Sequence, residues 1–196
     1  LGYVDTDNYS YLEYTNEVNL YTGGIYTNVI SFGIKENTEK YLPIFEIGTK
    51  VMYDKIPEAL RLIEEMIYRT QLKDYKRLKE ILDEAKSRMQ MRFQSAGHMV
   101  AVSRAMSYYS VHGMFVELTQ GISFYQFIED VTENYEQMKD TVVSKLKELL
   151  ELIFIRSKLL VSITADKTGY DLFSKEFVSF VGNLKEKTDE KILAGY

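Results

Sequence analysis

The sequence predicts an α+β domain in which an antiparallel sheet is covered by a block of helices, and three observations predict it. Ile25 to Ile34 is dense in β-branched and aromatic residues and follows the double glycine Gly23-Gly24, the pattern of a strand entered from a turn. Residues 44–53 alternate, with Phe45, Ile47, Thr49, Val51 and Tyr53 on one face and Glu46, Gly48 and Lys50 on the other. A long stretch of helical periodicity follows, and only then one more short apolar run, Leu159 to Ile163. Strands gathered at the front and returning late suit segregated layers better than the alternation of a parallel α/β sheet.

Taken in order, residues 7–20 read as a helix with Asp7 or Asn8 at its N-cap and Tyr11, Leu12, Thr15 and Val18 along it. Gly23-Gly24 stops it, because glycine supplies backbone conformations that other residues resist. The strand at 25–34 carries apolar residues in both phases, which suits a strand covered on both faces. A polar turn, Lys35 to Lys40, joins it to the second strand as an antiparallel pair. Asp54 and Pro57 open a helix with Leu60, Ile63, Met66 and Ile67 at helical spacing. A second helix runs from about Asp74 with Tyr75, Leu78, Leu82, Ala85, Met89 and Phe93 on one stripe; Gly97 interrupts it before Met99, Val102, Met106 and Tyr109 continue.

Gly113 and Gly121 bracket a segment that the periodicity leaves unassigned. Ser123 is placed as the cap of a helix from Phe124 through Phe127, Ile128 and Val131. Residues 137–153 give the clearest helix, with Val142, Val143, Leu146, Leu149, Leu150 and Ile153 on its apolar side. A strand at 159–163 and a helix at 168–184 follow. With two prolines in all and no flexible linker, residues 1–184 are expected to form a single α+β domain, truncated at its N-terminus. Residues 185–196 are expected to be a charged tail leading to a next domain. The opening Leu1-Gly2-Tyr3 reads as the interior of a longer polypeptide.

Composition narrows the function classes. At 196 residues, 45% of them hydrophobic, the chain is long enough for one well-buried core and short for two. Its net charge is −5, with 24 Lys and Arg interleaved among 29 Asp and Glu. Runs such as Lys73-Asp74-Tyr75-Lys76-Arg77 are solvated helix faces and not a basic stripe, so no nucleic-acid partner is expected. No membrane partner is expected either, since no run approaches the ~20 apolar residues of a span. Cysteine is absent, which removes disulfides and thiolate metal sites and fits a reducing compartment. With no targeting segment in these residues, the cytoplasm is the expected location if the protein is bacterial.

Catalytic constellations are missing. The two histidines, His98 and His112, are 14 positions apart, whereas zinc-protease helices pair two histidines with a glutamate on adjacent turns. No metal site, no Gly-x-Ser-x-Gly elbow and no phosphate-cradling glycine loop is present, and carboxylate pairs such as Glu64-Glu65 and Glu129-Asp130 fit a solvated surface. Tyrosine is the compositional oddity: eight of 16 fall within the first 53 residues. That suits a surface contacting peptide or another domain, and equally an aromatic core without tryptophan.

Three stretches together resemble a known family. They are Asn16-Glu17-Val18-Asn19-Leu20-Tyr21-Thr22-Gly23-Gly24-Ile25; Ser103-Arg104-Ala105-Met106-Ser107-Tyr108-Tyr109-Ser110 with the later Gly121-Ile122-Ser123-Phe124-Tyr125-Gln126-Phe127-Ile128; and Leu159-Leu160-Val161-Ser162-Ile163-Thr164-Ala165-Asp166. In this order they are similar to the region after the central linker in insulinase-like (pitrilysin-type) zinc metallopeptidases of the presequence-protease and falcilysin branch.

The resemblance implies four related α+β domains in two halves closing around a chamber, with the inverted zinc motif in the N-terminal half only. This chain then corresponds to the non-catalytic first domain of the C-terminal half, with no cofactor of its own and zinc in the parent enzyme. Its partners would be the remaining domains and peptide substrate, and the isolated chain would be prone to artificial self-association through faces normally covered. The strand that receives substrate by edge addition in the catalytic domains corresponds here to Gly24 through Val29, so Gly24, Ile25, Tyr26 and Thr27 are the expected substrate-binding residues. The competing reading is a free-standing protein-interaction domain with no enzymatic role.

Overall fold

The computed structural model describes residues 1–186; all but the first two residues of the expected tail lie outside them. The fold is α+β, with one antiparallel two-stranded sheet among the described residues and helices making up most of the rest. It divides into two compact units. The first comprises Leu1–Thr27, Ile47–Asp74 and the chain from Thr141 onward; the second comprises Asn28–Glu46 and Tyr75–Asp140.

In the first unit, helix α1 (Tyr11–Tyr21) starts at Ser10 and not at Asp7 or Asn8. Ser10 and Glu13 form a reciprocal capping box: the Glu13 N–H donates to Ser10 Oγ, and Glu13 Oε2 accepts the Ser10 N–H at 2.9 Å. Asn8 is drawn away to Glu65, donating from Nδ2 at 2.9 Å. The buried side of α1 is Tyr14 and Val18, which pack with Leu62 and Met66 of α2 (Ile56–Tyr68), while Leu12 faces solvent. The Tyr14 hydroxyl donates to the Leu62 carbonyl at 2.9 Å, satisfying its polar tip inside the core. A second cluster joins Ile67 of α2 to Phe180 and Leu184 at the end of the last helix.

The sheet is a hairpin of β1 (Ile25–Ile34) and β2 (Asn37–Thr49) around a two-residue turn, Lys35-Glu36. β2 begins at Asn37, well before residue 44, and Tyr53 belongs to a short 3₁₀ turn, Tyr53–Lys55. Polar Glu39 and Lys40 fit within a strand because that part of the hairpin is open to solvent. Nor is β1 covered on both faces: Tyr26, Val29, Phe32 and Ile34 are all exposed. Its two-phase apolar pattern therefore marks surfaces that this chain leaves bare.

The second unit holds α3 (Tyr75–Ser95), α4 (Gly97–Met106), α5 (Val111–Gln120), α6 (Ile122–Glu133) and the first turns of α7 (Tyr135–Ile153). α3 turns its expected stripe inward, with Leu78 buried. The backbone breaks at Ala96 (φ −135°, ψ 38°), and α4 emerges rotated: Val100 and Ser107 are buried while Met99, Val102, Met106 and Tyr109 point to solvent. The unassigned segment is α5, capped by Ser110 Oγ, which accepts the Gly113 N–H at 2.9 Å. α6 begins at Ile122, so Ser123 is inside the helix and not its cap.

The run Leu159 to Ile163 is not a strand here. Lys158 closes a short 3₁₀ turn (Arg156–Lys158), and the chain then runs without a ladder partner among the described residues, exposing Leu159, Leu160, Val161 and Ile163. A strand needs a neighbour for its hydrogen bonds, and none is supplied. Helix α8 (Lys167–Asn183) follows, with Asp166 accepting the Gly169 N–H at 2.8 Å. No helix among the described residues is long and apolar enough to cross a membrane.

Candidate functional site

The residues at the start of β1 are set by the end of α1. Thr22 Oγ1 donates to the Val18 carbonyl at 2.7 Å and accepts the Gly24 N–H at 3.0 Å, so one hydroxyl closes the helix and aims the next segment. Gly23 donates to the Lys50 carbonyl at 2.7 Å, and Gly24 sits at φ +105°, a conformation that side chains resist. Thr49 of β2 then holds the Gly24 carbonyl at 2.9 Å. Ile25 packs against the Tyr14–Leu62 cluster and Tyr26 points outward. The Tyr26 ring lies against Gly48 so closely that a Cβ there would collide with it. The glycine thus seats an exposed aromatic face at the strand's beginning.

β1 has β2 on one side and no further strand on the other among the described residues. Within the second unit, the carbonyls of Ser31 and Val29, two residues apart and so on one edge, are taken by α5: His112 Nε2 donates to Ser31 at 3.2 Å and Gln120 Nε2 to Val29 at 3.2 Å. The arrangement at Gly24, Ile25, Tyr26 and Thr27 offers backbone donors and acceptors beside an aromatic surface, with no nucleophile or base of an established catalytic set among them. Such an edge has the chemistry of strand addition.

The histidines do not converge on a metal site. His112 is spent on the Ser31 carbonyl, and His98 lies exposed at the start of α4. No group of three or more His, Cys, Asp or Glu among the described residues has the geometry to hold a metal ion, so the side chains described do not fit zinc.

One polar cluster carries no signal in the sequence. Glu117 of α5 is fully buried, and its Oε1 accepts from Arg104 at 2.9 Å, from the Ser123 N–H at 3.0 Å and from the Ser123 hydroxyl at 3.1 Å. It thereby caps α6 and ties α4, α5 and α6 together. Burial pushes its carboxyl up, but the Ser123 N–H, Arg104 and the Ser123 hydroxyl outweigh burial, leaving it below the ordinary glutamate value. Oε2 makes no hydrogen bond and lies against Gly121, where a Cβ would collide with it. No local motif announces this cap, because its carboxylate comes from the preceding helix. Close by, Phe93, Val100, Ala101, Ile122 and Tyr125 line an open groove of about 380 Å³. Its rim is tied by Tyr125 donating to Glu129 at 2.7 Å and by Lys86 pairing with the same carboxylate at 3.3 Å.

Comparison with known proteins adds an independent line. The profile of a peptidase-associated family, the associated region of insulinase-like peptidases of subfamily C, matches residues 1–131. Protein HypA of Clostridium perfringens is 28% identical over 191 residues, which is 97% of this chain and 19% of that protein. Presequence protease 1, chloroplastic/mitochondrial, of Arabidopsis thaliana is 23% identical over 165 residues, 84% of this chain and 15% of that protein. The mitochondrial presequence protease of Drosophila melanogaster is 23% identical over 154 residues, 79% of this chain and 15% of that one. The chain thus spans less than a fifth of the length of each of these relatives.

Proposed function

We propose, because the chain belongs to this peptidase-associated family of the insulinase-like peptidases, that it is a non-catalytic domain of a zinc metalloendopeptidase and helps to enclose peptide substrate in the parent's chamber. Zinc belongs to another part of the parent, since the donors described here do not converge. Residues 1–184 act as one domain, and 185–196 lead on to the next. Its partners are the remaining domains and the peptide; nucleic acid and membrane are not among them. In a bacterium the location is cytoplasmic. The names of two relatives, presequence proteases, support the peptidase reading.

The observation that carries the substrate role is the edge of β1 at Ile25 to Thr27, presented by Gly24 and marked by the Tyr26 ring on Gly48. An extended peptide adds to such an edge through main-chain hydrogen bonds, which are indifferent to sequence. Aromatic area beside it adds apolar contact.

In the full-length parent, Tyr26→Lys is expected to raise KM for peptide roughly 3- to 10-fold with kcat little changed, the signature of lost uniform binding. Tyr26→Phe, which keeps the ring on Gly48, is expected to behave as wild type. Unchanged kinetics in a folded Tyr26→Lys variant would remove this edge from the chamber wall. Replacing His98 and His112 together by Ala is expected to leave zinc content and kcat intact; loss of zinc would overturn the non-catalytic assignment.

The competing reading, a free-standing interaction domain, draws support from the bare face of α4. It requires that the full-length product show no peptide hydrolysis.

A further inference from the structure

The solvent side of α4 is unlike any ordinary helix surface. Its exposed residues from Gly97 to Tyr109 are Gly97, His98, Met99, Ala101, Val102, Ala105, Met106, Tyr108 and Tyr109, with no Asp, Glu, Lys or Arg among them. Met99 and Val102 are each 57% exposed, Met106 52% and Tyr109 84%. The helix's one charge, Arg104, is turned to Glu117 at 2.9 Å. A monomer that leaves such a contiguous apolar face in water marks a surface meant to be covered. Gly97 and Ala101 of this same face also wall the groove of about 380 Å³, which gives a covering side chain a place to seat.

We infer that the outward face of α4, centred on Met99, Val102 and Met106, is a permanent packing surface for an apolar face of another domain of the same parent polypeptide. The inference rests on the reading of the chain as one domain of a larger peptidase. Two features select this occupant. The relatives are more than five times as long as the matched region, since that region covers only 15–19% of them, so most of the polypeptide lies outside these residues. An uncharged face also demands an apolar partner that stays in place, because a substrate that comes and goes leaves it wet between turnovers. Methionine, unbranched and polarizable, conforms to whatever relief the partner offers.

Methionine oxidation tests this directly, because sulfoxide formation follows exposure. Peroxide treatment of the 196-residue chain and of the full-length parent, read by mass spectrometry, is expected to show Met99 and Met106 protected at least roughly tenfold in the parent without peptide. Met66, 2% exposed, is the reference that resists in both. Equal rates for Met99 and Met106 in the two proteins would overturn the inference. Protection that arises only on adding a non-cleavable peptide would overturn it in favour of substrate. Protection already present in the short chain and growing with its concentration would overturn it in favour of a second copy. Peptide hydrolysis measured on the same parent sample keeps the two readings apart: a parent without hydrolysis but with protected Met99 and Met106 loses the peptidase function and retains the covered face.

Discussion

Helices α3 and α4 follow one another across a single broken residue, Ala96, and face water in opposite ways. α3 turns Leu78 into the second unit and shows solvent Lys76, Glu80, Asp83, Glu84, Arg88 and Arg92. α4 sends its only charge to Glu117 and shows solvent methionine, valine and alanine. Both carry an apolar stripe in the sequence, yet only one stripe is covered within this chain. Helical periodicity identifies a face that wants burial; whether the covering surface lies in the same chain is a separate fact.

The comparison can be broken by removing matched side chains. Leu78→Ala on α3 is expected to destabilise this chain by about 3 kcal/mol, the cost of a cavity in a packed site, measured by denaturant unfolding. A loss below about 1 kcal/mol would show that α3 is no better buried than α4. Glu117→Ala should cost about 2–3 kcal/mol, because it leaves the Ser123 N–H and Arg104 without their acceptor. Gly121→Ala should cost about 1–2 kcal/mol, since a Cβ there meets the Glu117 carboxylate. Met106→Ala on α4 should change the stability of this chain by less than about 0.5 kcal/mol, as expected for a side chain that touches little. In the full-length parent the same substitution should cost more, which sharpens the contrast.

The pH dependence gives a further handle. Glu117 and Asp166 are both held below their ordinary values, Asp166 chiefly by the Gly169 N–H and then by the Tyr53 hydroxyl. A carboxyl depressed on folding contributes stability that is complete above its unfolded value and is lost as pH falls through the folded value. Stability should therefore decline below the ordinary glutamate value of 4.5. Glu117→Gln, measured by thermal unfolding across that range, should flatten the decline, and an unchanged slope would remove Glu117 from its cause.

Much of the fold is legible in the residues alone, for identifiable reasons. β1 runs from Ile25 to Ile34 as expected, because Gly24 at positive φ gives a sharp start and a run of β-branched residues leaves no alternative. The candidate edge is visible as a position for the same reason, but the seating of Tyr26 on Gly48 depends on β2. At the start of α1, Ser10-Tyr11-Leu12-Glu13 spells a capping box, and that pair of reciprocal bonds outranks the simple caps that Asp7 and Asn8 offer. Glu117 has no local signal, since it caps a helix to which it does not belong. Leu159 to Ile163 has the composition of a strand, but composition cannot supply the neighbour that makes one. The stripe on α4 is apolar, as its periodicity predicts, and yet it is surface and not core.

Zinc content and peptide hydrolysis of this purified chain, measured beside the full-length product of its gene, test the non-catalytic assignment most directly. An inert, zinc-free chain beside an active, zinc-bound parent is the predicted result. Stoichiometric zinc and chelator-sensitive cleavage by the 196-residue chain alone would contradict it, and would require His98 and His112 to adopt an arrangement different from the one seen here.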